Sequence, residues 1–403
     1  MTGLEPRFQP KGWPLPPRDR KHTMAQQSKH DYKFGIEEEF FLASARSRGA
    51  PRTSIQGFHD AAQRLGSVER ELLENEVEIC SKPTASVEEA RAALGDLRDK
   101  LQVTAREHGL KLFAAGTHPT AVWSAQKETD KPRYRGMMDD LQITGRRSVV
   151  AGMHVHVEVP QPEARIDIMR RIYPYLPLLL ALSTSSPFYD RRRTGLHGYR
   201  LRAYAELPRT GLPELFDDAD DYARYVRVMT AAGAVTDPTY FWWHIRPSIR
   251  YPTLELRVAD SCTRLDDTLA IAQLYRCLIR LLDRRRDIHV GLTGASRGFV
   301  MENLWRAERD GTGASLIDEA GERAVPMTEA IDALLDLIAE DATALGCTSQ
   351  VAHAKVIVCN GSSAANQLAV YAASIGNGAN EDAALKAVID WLAGETSRGA
   401  DPS

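Results

Sequence analysis

The 403-residue sequence predicts an α+β fold, an antiparallel sheet backed by helices. Three observations carry that expectation. Period-2 and period-3.6 segments alternate irregularly along the chain, no repeat or low-complexity linker divides it, and several strand-like runs carry ionisable groups on one face and apolar groups on the other. The strands are expected at 33–42, 72–81, 111–116, 152–159, 244–251 and 253–259. Helices are expected at 87–108, 163–182, 218–231, 265–282, 327–344 and 381–392. Ser86 ahead of Glu88 and Glu89, and the first-turn pair Asp266 and Asp267, place acceptors and negative charge where a helix N-terminus stabilises them.

Composition narrows the function. With 43% hydrophobic residues the chain can bury a sizeable core, and residues 31–395 read as a single catalytic-size domain. Residues 1–30 are basic and proline-rich without the apolar stretch of a secretory signal, so they read as a flexible extension, and 396–403 as a tail. Lys and Arg total 51 against 54 Asp and Glu, a net charge of -3, which gives no positive field for nucleic acid or anionic membrane. No apolar run is long enough to span a bilayer. Five cysteines without C-x-x-C spacing suit free thiols in a cytoplasmic setting.

Alternate residues of a strand share a face. Glu37 and Glu39 therefore project together, as do Glu74, Glu76 and Glu78, His154, His156 and Glu158, Glu255 and Arg257, and Arg246, Ser248 and Arg250. Each set alone reads equally well as the wet side of an antiparallel sheet. Together they stack imidazoles, carboxylates and arginines without one lysine, which a face built for solubility would not do. Mg2+ takes one or two carboxylates plus phosphate and water, and phosphoryl transfer adds arginines. Zinc at His154-x-His156 is the competing reading, although it would want more N or S donors.

The motifs GIEEEF, VEIC, AAGTHP, GMHVHVEV, STSSPFYDRRRTGLHGYRLR, LPRTGLPELF, IRPSIRYPTLELRVAD and ENLWRAERDG stand in the order found in the carboxylate-amine ligases. The chain resembles that family, relatives of the second type of glutamate-cysteine ligase with a glutamine synthetase-like catalytic fold, from about Phe34 to the C-terminal helices. The resemblance implies a curved antiparallel sheet with helices on its convex face. It implies an ATP- and Mg2+-dependent ligase, Mn2+ being an alternative ion, that joins a small carboxylate, by family precedent glutamate, to an amine through an acyl phosphate. By the same carry-over Glu37, Glu39, Glu78, Glu255 and His154 hold metal. His154, His156 and Arg246 attend the nucleotide, Arg257 and Arg250 face the transferring phosphoryl group, and Arg200 with Tyr199 binds the amino-acid substrate. A homodimer is compatible with this reading. A metal-dependent amidase on the same fold and a non-catalytic nucleotide- or amino-acid-binding homologue are the alternatives. Removing Glu37 or Glu255 is expected to abolish turnover while sparing stability, because like charges repel on a metal-free face.

Two departures stand out: His197-Gly198 where relatives carry small or hydroxyl residues, and Asn366 where they carry arginine. The remaining patterns have plain explanations. Gly294–Gly298 matches G-x-S-x-G without the strand that a nucleophile elbow requires, Cys80 reads as a buried structural thiol, and Tyr240–Trp243 reads as core and pocket wall.

Overall fold

The structure is a computed structural model that describes residues 30–397. The expected extension, but for His30, and the end of the expected tail lie outside the described residues. A seven-stranded sheet forms the centre: β1 (Phe34–Ser44), β2 (Val68–Arg70), β3 (Glu76–Cys80), β4 (Leu110–Phe113), β5 (Met153–Glu158), β6 (Ile245–Pro247) and β7 (Thr253–Leu256). The strand order is β6-β7-β5-β1-β3-β2, β4 pairs with the end of β1, and every pairing is antiparallel.

Alternation along the strands decides which face is dry. Phe34, Ile36, Phe40, Val77, Ile79, Met153, Val155, Val157, Leu254 and Leu256 are buried in one continuous core. Three helices close that core. The first, α1 (Val87–Glu107), starts at Ser86, whose hydroxyl accepts the Glu89 N–H. Next in order, α2 (Leu176–Ser183) is apolar all round and wholly buried. Nearly every residue of α3 (Leu265–Arg284) is buried between the sheet and helix α5 (Thr348–Asn360). A smaller cluster beneath Phe41 and Phe113 is closed by α7 (Glu381–Ser397), which packs on α6 (Ser363–Gly376).

Prolines account for several differences from expectation. The helix expected over 163–182 breaks at Tyr173–Tyr175, because Pro174 and Pro177 remove donors there. The helix expected over 327–344 divides at Ile338. The strand expected over 244–251 stops at Pro247, leaving 248–252 as a hairpin tip. Helix α4 (Gly294–Asp310) contains the G-x-S-x-G pattern, with Thr293 and Ser296 forming a capping box, so Ser296 is a cap. Among the described residues no helix is long and apolar enough to cross a membrane, and all five cysteines are free.

Candidate functional site

The other face of the sheet is the floor of a cleft of about 480 Å³. Strand register assembles it. Glu37 lies opposite His154, Glu39 opposite Glu78, His156 opposite Glu255, and Glu255 opposite Arg246. Residues far apart in sequence thus meet as neighbours across strands. Glu37, Glu39, Glu78, His154, His156, Arg200, Arg246, Arg250, Glu255 and Arg257 all line this one cleft.

The acidic end contains the metal-type donors. His154 is buried, its Nδ1 lies 3.4 Å from Glu37 Oε2, and its Nε2 lies 3.8 Å from Glu39 Oε1 with no hydrogen-bond partner among the described residues. His156 Nε2 approaches Glu37 Oε1 at 3.4 Å, while its Nδ1 pairs with the Thr253 hydroxyl at 3.0 Å. Burial, reinforced by the Arg257 cation, lowers His154 to about 4, so its ring is neutral and donates from Nδ1 to Glu37. That tautomer turns the Nε2 lone pair toward Glu39 and Glu78. Burial alone would raise the Glu37 pKa, but hydrogen bonds from both imidazoles hold it well below the ordinary carboxylate range. Burial and the neighbouring Glu71 charge push Glu39 up to about 7, and the same two causes raise Glu78 well above its usual value.

Crowded, dehydrated carboxylates beside an unpartnered imidazole nitrogen fit a divalent cation, which would relieve the repulsion and use the lone pair. Among the described residues, three ligand groupings have donor atoms within 4.8 Å of one another: Glu37 with His154 and Glu255, Glu39 with Glu78 and His154, and Glu37 with Glu78 and Cys80.

The basic end is organised around Glu255. Its carboxylate accepts from Arg246 Nε at 2.7 Å and Nη2 at 3.2 Å, and from Arg257 Nη1. These two arginines hold Glu255 ionised, at about 2, despite burial. The repulsion expected on this face therefore exists at Glu39, Glu71 and Glu78 but not at Glu37, which both imidazoles hold ionised, nor at Glu255, whose single charge is shared by two guanidinium groups. Arg200 is buried, with Nη1 donating to the carbonyls of Arg257 and Ala259 at 3.1 Å each. Its guanidinium fills the space beside Gly152, where a Cβ would stand 2.2 Å from Nη2, so only glycine fits there.

Three sequence expectations change position. Tyr199 does not line the cleft; it precedes the one-turn helix Arg200–Tyr204 and its ring packs on Tyr189, centroids 5.0 Å apart. Tyr204, one turn beyond Arg200, lines it instead, with its hydroxyl 3.5 Å from Arg257 Nη2 and its ring beneath Arg200. Arg250 reaches only the rim, exposed on the hairpin tip beyond Pro247. Glu74 leaves the face altogether, because the chain turns at 73–76 before β3 begins, and Glu74 lines a separate groove with Lys127 and Trp123. Glu71 takes a place in the acidic end, hydrogen-bonded to Glu78, with burial raising its carboxyl above the usual range. Its only local signal was the acidic run around it, since the turn breaks the period-2 pattern. The two departures lie away from the cleft. Asn366 Nδ2 donates to Gly361 and Ser362 carbonyls, and the His197 and Gly198 amides donate to the Glu308 carbonyl.

Behind Arg200, Asp260 is fully buried and burial pushes its carboxyl up to about 6. The folded state then binds the Asp260 proton more tightly than the unfolded chain, so this residue's contribution to stability falls as pH rises from about 4 to about 6. Relative to Asp260→Asn, which cannot titrate, the native chain should lose up to about 3 kcal/mol over that window and nothing further above it. Denaturant midpoints of the two proteins at pH 4, 5, 6 and 7 measure this, and a constant difference would refute it.

Comparison with known proteins agrees with this architecture. The chain superposes on a glutamate–cysteine ligase from Francisella tularensis, solved in complex with AMP, with a TM-score of 0.68 over 91% of this chain and 89% of that one at 12% identity. It matches a bifunctional glutathione synthetase from Pasteurella multocida with a TM-score of 0.66 over 91% of this chain and 52% of that one at 13% identity. The fold is therefore the one that the glutamate–cysteine ligases share. Residues 33–389 match the family model described as Glutamate-cysteine ligase family 2 (GCS2), and the chain belongs to that family of ligases. It is 44% identical over 371 residues to "Putative glutamate--cysteine ligase 2" of Bradyrhizobium diazoefficiens, covering 92% of this chain and 85% of that protein. The protein of the same name from Rhodospirillum rubrum is 43% identical over 371 residues, covering 91% of this chain and 95% of that one.

Proposed function

We propose that the chain is an ATP- and Mg2+-dependent ligase that condenses a carboxylate, glutamate through its side chain by family precedent, with an amine to form an amide. The observation that carries this reading is the convergence of Glu37, Glu39, Glu78, Glu255 and His154 with Arg246 and Arg257 on one sheet face. Family membership adds the reaction class.

A carboxylate is a poor electrophile, so an amide needs a leaving group on its carbon. In the first step a carboxylate oxygen attacks the γ-phosphorus of ATP, and the bond to the bridging oxygen breaks with its electron pair leaving on ADP. In the second, the neutral amine attacks the acyl carbon, the carbon–oxygen bond to phosphate breaks, and the nitrogen loses one proton. Inorganic phosphate leaves carrying one oxygen of the original carboxylate. Glu37, Glu39, Glu78, Glu255 and His154 would hold Mg2+, or Mn2+ in its place. When bound, the cation neutralises phosphate oxygens. Arg257 faces the charge that develops on the transferring group, with Arg250 closing from the rim. Arg246 and His156 bound the nucleotide side, and the Arg200 fork receives the carboxylate of the amino-acid substrate.

The test uses purified protein with ATP, Mg2+, glutamate carrying 18O in its carboxylates, and a panel of amines. We expect ADP only when acid and amine are both present, a condensed product by mass spectrometry, and one 18O atom in the phosphate released. Phosphate without label would remove the acyl phosphate. Amide hydrolysis without nucleotide would replace the ligase by an amidase, and ATP binding without turnover on any amine would make the chain a binding protein.

A further inference from the structure

Arg200 and Arg257 come from different parts of the chain, yet the proposed reaction needs the substrate carboxylate and the phosphoryl group in fixed register. An error of about 1 Å in such a pairing costs on the order of a hundredfold in rate. Arg200 opens a helix of only five residues, Arg200–Tyr204, too short to hold its own shape. Something outside that helix must fix it.

The segment 257–260 does so at two points. The carbonyls of Arg257 and Ala259 accept the Arg200 guanidinium at 3.1 Å each. The second hold is on the backbone: the Arg200 N–H donates to Ser186 Oγ at 2.9 Å, and that hydroxyl donates to Asp260 Oδ2 at 2.7 Å. The same Asp260 oxygen accepts the Ser185 N–H at 2.9 Å, and the Asp260 N–H donates to Ser183 Oγ at 3.2 Å. Ser185 is locked in turn, its hydroxyl donating to the Ser261 carbonyl at 2.8 Å and accepting the Gly116 N–H at 2.7 Å. Gly116 has no side chain because a Cβ there would lie 2.6 Å from Asp260. Asp260, Ser185, Ser186 and Ser261 are all fully buried. A dry carboxylate is costly, and packing alone would be served by an apolar residue. What the carboxylate adds is an acceptor at a defined point, three residues beyond Arg257.

We propose that Asp260, acting through the Ser186 hydroxyl, is a positioning residue that sets Arg200 in register with Arg257. It touches neither substrate. It acts through the start of the Arg200 helix, and so also places Tyr204, whose hydroxyl faces Arg257. This inference rests on the assignment of Arg200 to the carboxylate substrate.

Four variants of the full chain separate the two ideas: Arg200→Ala, Ser186→Ala, Asp260→Ala and Asp260→Asn, each assayed for KM of the acid, KM of ATP and kcat. Ser186→Ala removes one hydroxyl and leaves Asp260 its Ser185 bond, so it keeps the test available should Asp260→Ala not fold. We expect Ser186→Ala to raise the KM of the acid about tenfold, the size of one lost hydrogen bond, and to leave the KM of ATP within about twofold. Asp260→Ala should do at least as much, in the pattern of Arg200→Ala. Asp260→Asn retains an acceptor oxygen and should stay within about threefold of the native enzyme. If Arg200→Ala moves the acid KM while Ser186→Ala and Asp260→Ala do not, or if Asp260→Asn is as poor as Asp260→Ala, the positioning role is wrong. If Arg200→Ala itself leaves the acid KM unchanged, the assignment of Arg200 fails instead.

Discussion

Glu255→Ala is expected to lower turnover by at least about a thousandfold, as removal of a charge-stabilising group at a transferring centre does, and to destabilise the protein as well. The second effect runs against the expectation from sequence. Glu255 is buried and accepts from both Arg246 and Arg257. Without it two nearly buried guanidinium groups face each other uncompensated. Breaking a buried ion pair from one side costs about 3–5 kcal/mol, most of it from the stranded charge. Arg246 has fallback partners in the carbonyls of Thr239 and Phe241, while among the described residues Arg257 has only the Tyr204 hydroxyl at 3.5 Å. The stranded cations also give the variant an identifiable signature, because inorganic phosphate can replace the missing negative charge. Phosphate should raise the thermal midpoint of Glu255→Ala more than that of the native chain. Equal midpoints for the two proteins in phosphate-free buffer would show that Glu255 is not the counter-charge described here.

Glu39→Gln tests the same face with the opposite sign. Burial and Glu71 push the Glu39 carboxyl up to about 7, so a neutral amide relieves strain that a bound cation or a proton would otherwise relieve. Its metal-free midpoint should equal or exceed the native value while turnover falls by at least about a hundredfold. A lowered metal-free midpoint would remove Glu39 from the repelling set.

The contrast explains what could be read from the sequence. Strand β1 was legible because its faces alternate from Phe34 to Phe40, and β5 because His154 and His156 interrupt an otherwise apolar run at period 2. Those patterns identify faces, not neighbours. That Glu39 opposes Glu78 and Glu37 opposes His154 depends on strand order and register, which no local pattern encodes; the family motifs supplied the expectation of convergence. Where the chain turns, the period misleads. Glu74 keeps phase with Glu76 and Glu78 in sequence but is turned aside at 73–76, and Arg250 is carried past Pro247 to the rim. Helix α4 was hidden by its glycines, and α5 and α6 by stretches of small and polar residues without a distinct apolar stripe. Tyr204 could have been found from its spacing, since four residues after Arg200 is one helical turn.

Replacing Glu38 or Arg98 by alanine should remove about 3–5 kcal/mol of stability while leaving the chemistry of surviving folded protein within several-fold of native. Glu38 is flanked in sequence by two proposed metal ligands, yet β1 alternation turns it to the dry face, where both partners are buried. Arg98 Nε donates to Glu38 Oε2 at 3.0 Å, and its Nη2 completes a two-pronged pair with Oε1. Thr268 donates to the same carboxylate at 2.6 Å, and the Arg98 fork also reaches the carbonyls of Thr263 and Cys262. The arginine on α1 thus binds β1 to the loop and helix that follow Arg257 and Asp260, fixing the strand of Glu37 and Glu39 relative to the segment that continues from the strand of Glu255, with β5 between the two strands. Because every donor and acceptor here is matched, losing one partner leaves a charge with no access to water. Losing both to apolar residues of similar size does not, so Glu38→Leu with Arg98→Met should recover much of what either single alanine loses. Urea midpoints of the two single variants and the double, with kcat measured well below each transition, check the argument. A double variant as unstable as the sum of the singles would show that packing at the two sites, and not the stranded charge, sets the cost.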